Sequence, residues 1–173
     1  GLDASPAMLA IARARAPEAE FLQADARTFT LPRRVDAVVS LFDSLNHLLE
    51  PGELQEAFGR VEAALRPGGT FLFDLNTEDA YLARWDDDLG FLDAESAVVV
   101  RVRYDPLARL GRFDAAVFRG ESDGRYRRSD ATLLQRPYEP DDVCDRLRGA
   151  GFVEPDAHDA ERDLGLEGHE GRV

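Results

Sequence analysis

An α/β fold with a parallel, doubly wound sheet is predicted by three observations. Val35-Asp36-Ala37-Val38-Val39-Ser40-Leu41 and Thr70 to Leu75 are apolar runs of strand length, as strands covered on both faces should be. Between them Leu54, Ala57, Phe58, Val61, Ala64 and Leu65 recur at helical spacing. The chain also opens with an acid, Asp3, at the tip of a strand end, and a helix begins two residues later.

The elements follow in order. Ser5 is a helix cap, Pro6 suits a first turn, and Met8, Leu9, Ile11 and Ala12 supply an apolar face that ends near Ala16-Pro17. Glu20 to Ala24 reads as a short strand ending at Asp25. The helix from Glu53 is stopped by Arg66-Pro67-Gly68-Gly69, which also turns the chain. Strand, helix, strand, strand, helix, strand with short links is the α/β order. After Trp85 the pattern changes: Ala97 to Tyr104, Arg112 to Gly120 and Arg125 to Arg136 are strands with no helix between them, hence antiparallel, and Ser122-Asp123-Gly124 is a hairpin turn. An insert over residues 93–137 within a single domain of residues 1–173 is expected. Pro140 to Ala150 returns to helix, and Gly151-Phe152-Val153 starts another strand.

Composition narrows the function. A chain of 173 residues, 44% apolar, can bury a core. The net charge of -13 argues against binding nucleic acid through its phosphates. No apolar run reaches membrane-spanning length, and a cytoplasmic protein is expected. The one cysteine, Cys144, and the three histidines show no metal-ligand spacing, and no metal is expected. Asp86-Asp87-Asp88 reads as a solvated loop. Every basic residue is arginine, and residues 101–136 hold a local excess of them. Arg101, Arg103, Arg119, Arg127, Arg128 and Arg136 could present a fork to a phosphate or carboxylate, but the alternation in Val98 to Arg103 fits one face on the core and one in water.

Asp3 is the first candidate functional residue. An ionised carboxylate only accepts hydrogen bonds and can take both hydroxyls of a ribose, and the carboxyl end of a strand in a doubly wound sheet is where such folds hold one. The plainer alternative is an acid favoured by a helix N-terminus. Asp25 has a similar alternative as a turn residue.

Taken together, Gly1-Leu2-Asp3-Ala4-Ser5 with Met8-Leu9, Gln23-Ala24-Asp25, Asp36-Ala37-Val38-Val39, Leu65-Arg66-Pro67-Gly68-Gly69 and Phe73-Asp74-Leu75-Asn76 resemble a class I S-adenosylmethionine-dependent methyltransferase over nearly the whole chain. Phe42-Asp43-Ser44-Leu45-Asn46-His47 and the antiparallel insert after the fifth strand are most similar to the small-molecule branch, which includes amino-sugar N-methyltransferases. The resemblance implies a Rossmann-like sheet that lacks its first and last strands here. Because the first strand of that sheet lies between the second and fourth, and the seventh between the fifth and sixth, two gaps in the hydrogen-bond ladder are expected.

The same resemblance implies S-adenosylmethionine as cofactor, with Asp3 on the ribose, Ala4 near the adenine, Asp25 on the adenine amino group, the Ala26 N–H on a ring nitrogen, and Met8 also among the cofactor-binding residues. Leu41 and Phe42 would line the methionine end. Asp43, Asn46 and His47 lie just past the fourth strand, where open α/β sheets place their ligands. Asp43 and His47 are the candidate catalytic groups, and Asn46, Tyr81, Trp85 and Arg136 the candidate acceptor-binding ones. The expected reaction moves a methyl group to a nitrogen, or after it an oxygen, of a small molecule. A non-catalytic partner subunit of the same fold and a nicotinamide-dinucleotide oxidoreductase are the alternatives.

Overall fold

The computed structural model describes residues 1–173, which divide into two compact units. The first comprises Gly1–Val39, Glu50–Leu72 and Cys144–Pro155; the second comprises Ser40–Leu49, Phe73–Val143 and Asp156–Val173.

In the first unit, strand β1 (Leu2–Asp3) pairs in parallel with β2 (Leu22–Gln23), and helix α1 (Pro6–Arg15) lies between them in sequence. Ser5 caps α1, its hydroxyl accepting from the Met8 N–H at 3.3 Å. Strand β3 (Val35–Ser40) pairs with β4 (Leu65–Phe73), preceded by helix α2 (Pro51–Ala64). Glu50 and Glu53 close a reciprocal capping box at the start of α2. The two strand pairs are separate sheets, which is the gap expected between the second and fourth strands of the ladder.

The core of this unit gathers Phe29, Val61, Ala64 and Leu65, with Val35, Val38, Phe71 and Phe152 packed against them. Phe71 meets Phe58 edge-on at 6.0 Å.

Four expectations need correction in this unit. Strand β3 is not covered on both faces, since Val39 is 58% exposed. Of the apolar face foreseen on α1, only Leu9 is buried. Arg66-Pro67-Gly68-Gly69 does not form a separate turn: α2 ends at Ala64 and the chain passes directly into β4, with Gly68 absorbing the change at φ +78°. Nor does Gly151-Phe152-Val153 become a strand. Gly151 (φ +105°) ends helix α4 (Pro140–Ala150), the Phe152 N–H returns to the Leu147 carbonyl, and Val153 is exposed.

The second unit is built on a four-stranded antiparallel sheet of β5 (Asp86–Leu92), β6 (Ser96–Asp105), β7 (Leu110–Gly120) and β8 (Tyr126–Gln135), in that order. The sheet thus begins before residue 93 and has one strand more than the sequence suggested. Asp86 to Asp88 are not a loop: β5 pairs Asp86 with Arg103 and Asp88 with Arg101 across the ladder, and these cross-strand charges compensate an otherwise poor strand sequence. The Asp123-Gly124 reversal joins β7 to β8 as expected, with Gly124 at φ +80°.

Helix α3 (Glu78–Arg84) lies against one end of the sheet through Tyr81, which is 1% exposed and stacks with Trp85 at 4.8 Å and Tyr104 at 5.3 Å. Strand β7 offers Gly111 at this point, where a Cβ would stand 2.7 Å from the Tyr81 ring. Tyr81 and Trp85 therefore pack against this end of the sheet. At the far end of the chain Gly171 and Val173 run antiparallel to Leu75–Thr77, with Leu75 and Val173 exchanging both backbone hydrogen bonds. No helix is long and apolar enough to cross a membrane.

Asn46, fully buried, ties this unit together. Its amide donates to the carbonyls of Asn76 (2.9 Å) and Arg136 (2.7 Å), and its Oδ1 accepts from the Asn76 N–H at 2.9 Å. Replacing Asn46 by Ala leaves three buried backbone groups without that partner, and orphaned polar groups cost about 1–3 kcal/mol each when water cannot reach them. Asn46→Ala should therefore lower unfolding stability by about 3 kcal/mol or more, read as a shift of the urea midpoint.

Candidate active site

Asp3 ends β1, and its position is set by the turn into α1: Oδ1 accepts from the Ser5 N–H at 2.7 Å, while Oδ2 carries no hydrogen bond. A half-buried carboxylate fixed through one oxygen and open on the other can accept from paired hydroxyls. Ala4 and Met8 beside it are exposed.

Asp25 follows β2 and is gripped by Arg27. Oδ1 accepts from the Arg27 backbone N–H and Nε, both at 2.8 Å, and Oδ2 from Nη2 at 2.5 Å. The other arm of Arg27 is bound to Glu53 on α2. The side-chain and then the backbone hydrogen bonds from Arg27 hold the Asp25 carboxyl down at about 2, from an ordinary 3.8. Three of its roughly four lone-pair sites are taken, which leaves room on Oδ2 for one further donor. The neighbouring Ala26 N–H makes no hydrogen bond.

In the second unit Leu41 and Phe42 are exposed at 47% and 80%. Phe42 (φ 61°) and Asp43 (φ 49°) both adopt left-handed backbone, a pair of conformations that non-glycine residues hold only when their surroundings impose it. The surroundings here are explicit. The Asp43 N–H donates to Asp74 Oδ1 (3.1 Å), Arg172 donates to Asp43 Oδ1 (2.9 Å) and Asp74 Oδ2 (2.8 Å), and Gln135 Nε2 donates to Asp43 Oδ2 (2.5 Å). The Asp43 carbonyl then accepts from Asn46 N–H and starts the 3₁₀ turn Ser44–His47.

His47 is exposed at the end of that turn. Its Nδ1 lies 2.9 Å from the Leu134 carbonyl and its Nε2 lies 3.2 Å from Gln135 Nε2. A carbonyl can only accept, so Nδ1 carries the proton and Nε2 the lone pair. Tyr81 donates its hydroxyl to Gln135 Oε1 at 3.0 Å. Burial, and then the charge of Asp43, push the Tyr81 phenol above its ordinary value, so it stays a neutral donor.

The structure thus brings Asp43 and His47 together through Gln135, while the residues assigned to the acceptor serve other purposes. Asn46 and Tyr81 are interior, Trp85 packs on Tyr81, and the Arg136 guanidinium donates to the Leu49 carbonyl at 2.9 Å. Gln135, Asp74 and Arg172 were not singled out as site residues from the sequence. Asp74 lay within a quoted motif, but Arg172 is 129 positions from Asp43 and has no local signal.

Most arginines of the sheet are likewise spent on neighbours: Arg101 and Arg103 on Asp88, Arg112 on Asp114, Arg127 on Glu121 and Arg128 on Asp130. The open groove of about 310 Å³ on that face is lined by Asp88, Asp114 and Asp130 beside Arg101 and Arg128, so it offers no net positive site for an anion.

The strand–helix order with an acid at the end of β1 and another after β2, followed by an antiparallel sheet, defines the chain as a Rossmann-like methyltransferase fold. Residues 1–69 match the family model described as a methyltransferase domain. A methyltransferase-family protein of Geobacillus sp. (strain WCH70) is 31% identical over 165 residues, covering 88% of this chain and 64% of that protein. The dTDP-3-amino-3,6-dideoxy-alpha-D-glucopyranose N,N-dimethyltransferase of Streptomyces fradiae is 37% identical over 109 residues, covering 60% of this chain and 41% of that one. The solved structure of CalS10 from Micromonospora echinaspora, an amino pentose methyltransferase with S-adenosylmethionine bound, superposes with a TM-score of 0.68 at 27% identity, over 99% of this chain and 70% of that one. Residues 1–69 thus match a methyltransferase domain, and along most of its length the chain is similar to methyltransferase-family proteins. It spans somewhat less than two thirds of the Geobacillus relative.

Arg27→Met removes the guanidinium that depresses Asp25 but keeps the backbone N–H of residue 27, so the Asp25 carboxyl should titrate above about 2, part of the way back toward 3.8, read by ¹³C NMR of the side chain. The sign for stability follows from the depressed folded value. The Asp25–Arg27 contribution is complete above about pH 4 and lost as pH falls toward 2, and Arg27→Met should flatten that part of the acid-unfolding curve.

Proposed function

We propose that the protein transfers a methyl group from S-adenosylmethionine to the nitrogen of a small-molecule amine. The observation that carries the reading is Asp3, anchored by Ser5 through Oδ1 and open at Oδ2, in a chain similar to proteins of this family. Asp3 would accept from the ribose hydroxyls, Asp25 from the adenine amino group through its remaining lone pair, and Ala26 would donate its N–H to a ring nitrogen. Ala4 and Met8 would give the adenine its apolar contact. Leu41 and Phe42, exposed before the 3₁₀ turn, would contact the methionine portion.

The cofactor supplies an activated sulfonium methyl, so the protein has mainly to hold the acceptor in line and relieve it of a proton. As the nitrogen–carbon bond forms, the carbon–sulfur bond breaks and its electron pair returns to sulfur; the proton lost by nitrogen passes to His47 Nε2, the free lone pair of the Nδ1-protonated ring. Asp43, with Oδ1 on Arg172 and Oδ2 on Gln135, has both oxygens engaged and serves as the fixed negative charge of the site. Nitrogen is placed ahead of oxygen because relatives of this chain are named as N,N-dimethyltransferases of nucleotide-linked amino sugars. An amino sugar is therefore the acceptor class to try first. The single unpaired Cys144 suits a reducing, cytoplasmic setting.

Calorimetric titration of the full-length protein with S-adenosylmethionine tests the cofactor reading. Asp3→Ala should weaken binding by about 10–100-fold, the worth of one or two charge-assisted hydrogen bonds, and unchanged binding would remove Asp3 from the site. With a nucleotide-linked 3-amino sugar as acceptor, His47→Ala should lower kcat by about 10²-fold near neutral pH and by less at high pH, where the amine is already unprotonated. Tight cofactor binding with no transfer to any amine would favour a non-catalytic relative.

A further inference from the structure

We propose that Gln135 is the positioning residue of the candidate site, the group that aims His47 Nε2 and releases it to the acceptor. This rests on the reading of His47 as the proton acceptor. Gln135 is 5% exposed, at the end of β8, and its side chain makes three contacts. The Asp43 carboxylate can only accept, so the atom 2.5 Å from it must be the amide nitrogen; Oε1 is thereby turned to Tyr81, whose hydroxyl donates to it at 3.0 Å. With one amide hydrogen on Asp43, the second is directed to His47 Nε2 at 3.2 Å.

The opposite side of the imidazole is held by the Leu134 carbonyl, on the residue next to Gln135. One strand end therefore supplies both contacts to the ring, donor to Nε2 and acceptor from Nδ1–H. The two ends of the Gln135 amide are in turn fixed by the buried Tyr81 on α3 and the half-buried Asp43 in the strained turn.

The contact to His47 is the longest of the three made by the Gln135 side chain. An incoming N–H of the acceptor can replace it on Nε2 while Gln135 remains on Asp43 and Tyr81. In the resting protein Gln135 thus keeps the lone pair in place. During transfer it yields that lone pair without moving its own anchors. The charged and titratable groups around His47 in this arrangement are Asp43, the Arg172 that pairs with it, and the neutral Tyr81 behind the amide.

The test uses two readouts on the full-length protein. The first is the ¹⁵N NMR spectrum of the His47 imidazole, which needs no turnover. The native protein should show a single Nδ1–H tautomer. Gln135→Met, which keeps the length and removes both amide groups, should give an averaged tautomer signal, because one contact to an exposed ring does not hold it. An unchanged imidazole spectrum in Gln135→Met overturns the proposal.

The second readout is the pH profile of methyl transfer to a nucleotide-linked 3-amino sugar. Gln135→Met should lower kcat about tenfold or more with cofactor affinity unchanged. Gln135→Glu should move the acid limb to higher pH, since a second carboxylate beside His47 favours its protonated form. A loss of kcat in both variants without movement of that limb, in proportion to lost thermal stability, also overturns it. Tyr81→Phe, which spares Asp43 and His47, provides a milder variant should the others fold poorly; it should broaden the tautomer signal partway. If the native protein transfers no methyl group, the functional reading fails, while the imidazole spectrum still decides whether Gln135 holds the ring.

Discussion

Asp43 is the constraint on which the second unit turns. Two consecutive non-glycine residues in left-handed backbone cost of the order of 1–3 kcal/mol each, and such a turn persists only where its surroundings over-determine it. Asp74 accepts the Asp43 N–H, Arg172 bridges the two carboxylates, and Gln135 binds the remaining oxygen. Arg172 and Asp74 are each less than a fifth exposed at the side chain, so the pairing is only partly screened by water. Removing one partner would leave the other charges uncompensated, a larger effect than the loss of a surface ion pair.

The consequence reaches from backbone to chemistry. Once Asp43 is fixed, its carbonyl starts the 3₁₀ turn, the turn buries Asn46 and exposes His47, and the end of β8 receives both. Asn46 takes no part in recognition because its hydrogen-bonding capacity is consumed by backbone groups. Its role is to hold the turn against Asn76 and Arg136. A polar residue that is buried and satisfied specifies a geometry, and an exposed ring held at both nitrogens can use it.

The first unit follows a different logic. There the acids are placed by local chain geometry: Asp3 by the strand-to-helix turn it caps, and Asp25 by Arg27 two residues later. Both arrangements need only short-range contacts, with Arg27 also tied to α2 by its pair with Glu53 and by its carbonyl, which accepts from Arg60. This is why Asp3 and Asp25 could be picked out of the sequence, whereas the groups that restrain Asp43 could not. The sheet arginines illustrate the same contrast. Their alternation was legible, but the cross-strand partners that consume their charge depend on the register of β5 against β6, and Asp86 to Asp88 by themselves have little strand propensity.

What the sequence by itself determined is the α/β order, the ends of α1, the Asp-Gly hairpin, and the positions of Asp3, Asp25, Asp43 and His47. Each depends on periodicity, capping or turn chemistry acting over a few residues. What only the tertiary structure decided is which groups those residues face. Strand β5 depends on its register against β6, while the antiparallel path of Gly171–Val173, the interior roles of Asn46 and Tyr81, and the Arg172 and Gln135 contacts to Asp43 join segments roughly thirty to more than a hundred positions apart. Hydrogen bonds over such separations follow from chain topology and leave no periodic trace in the sequence.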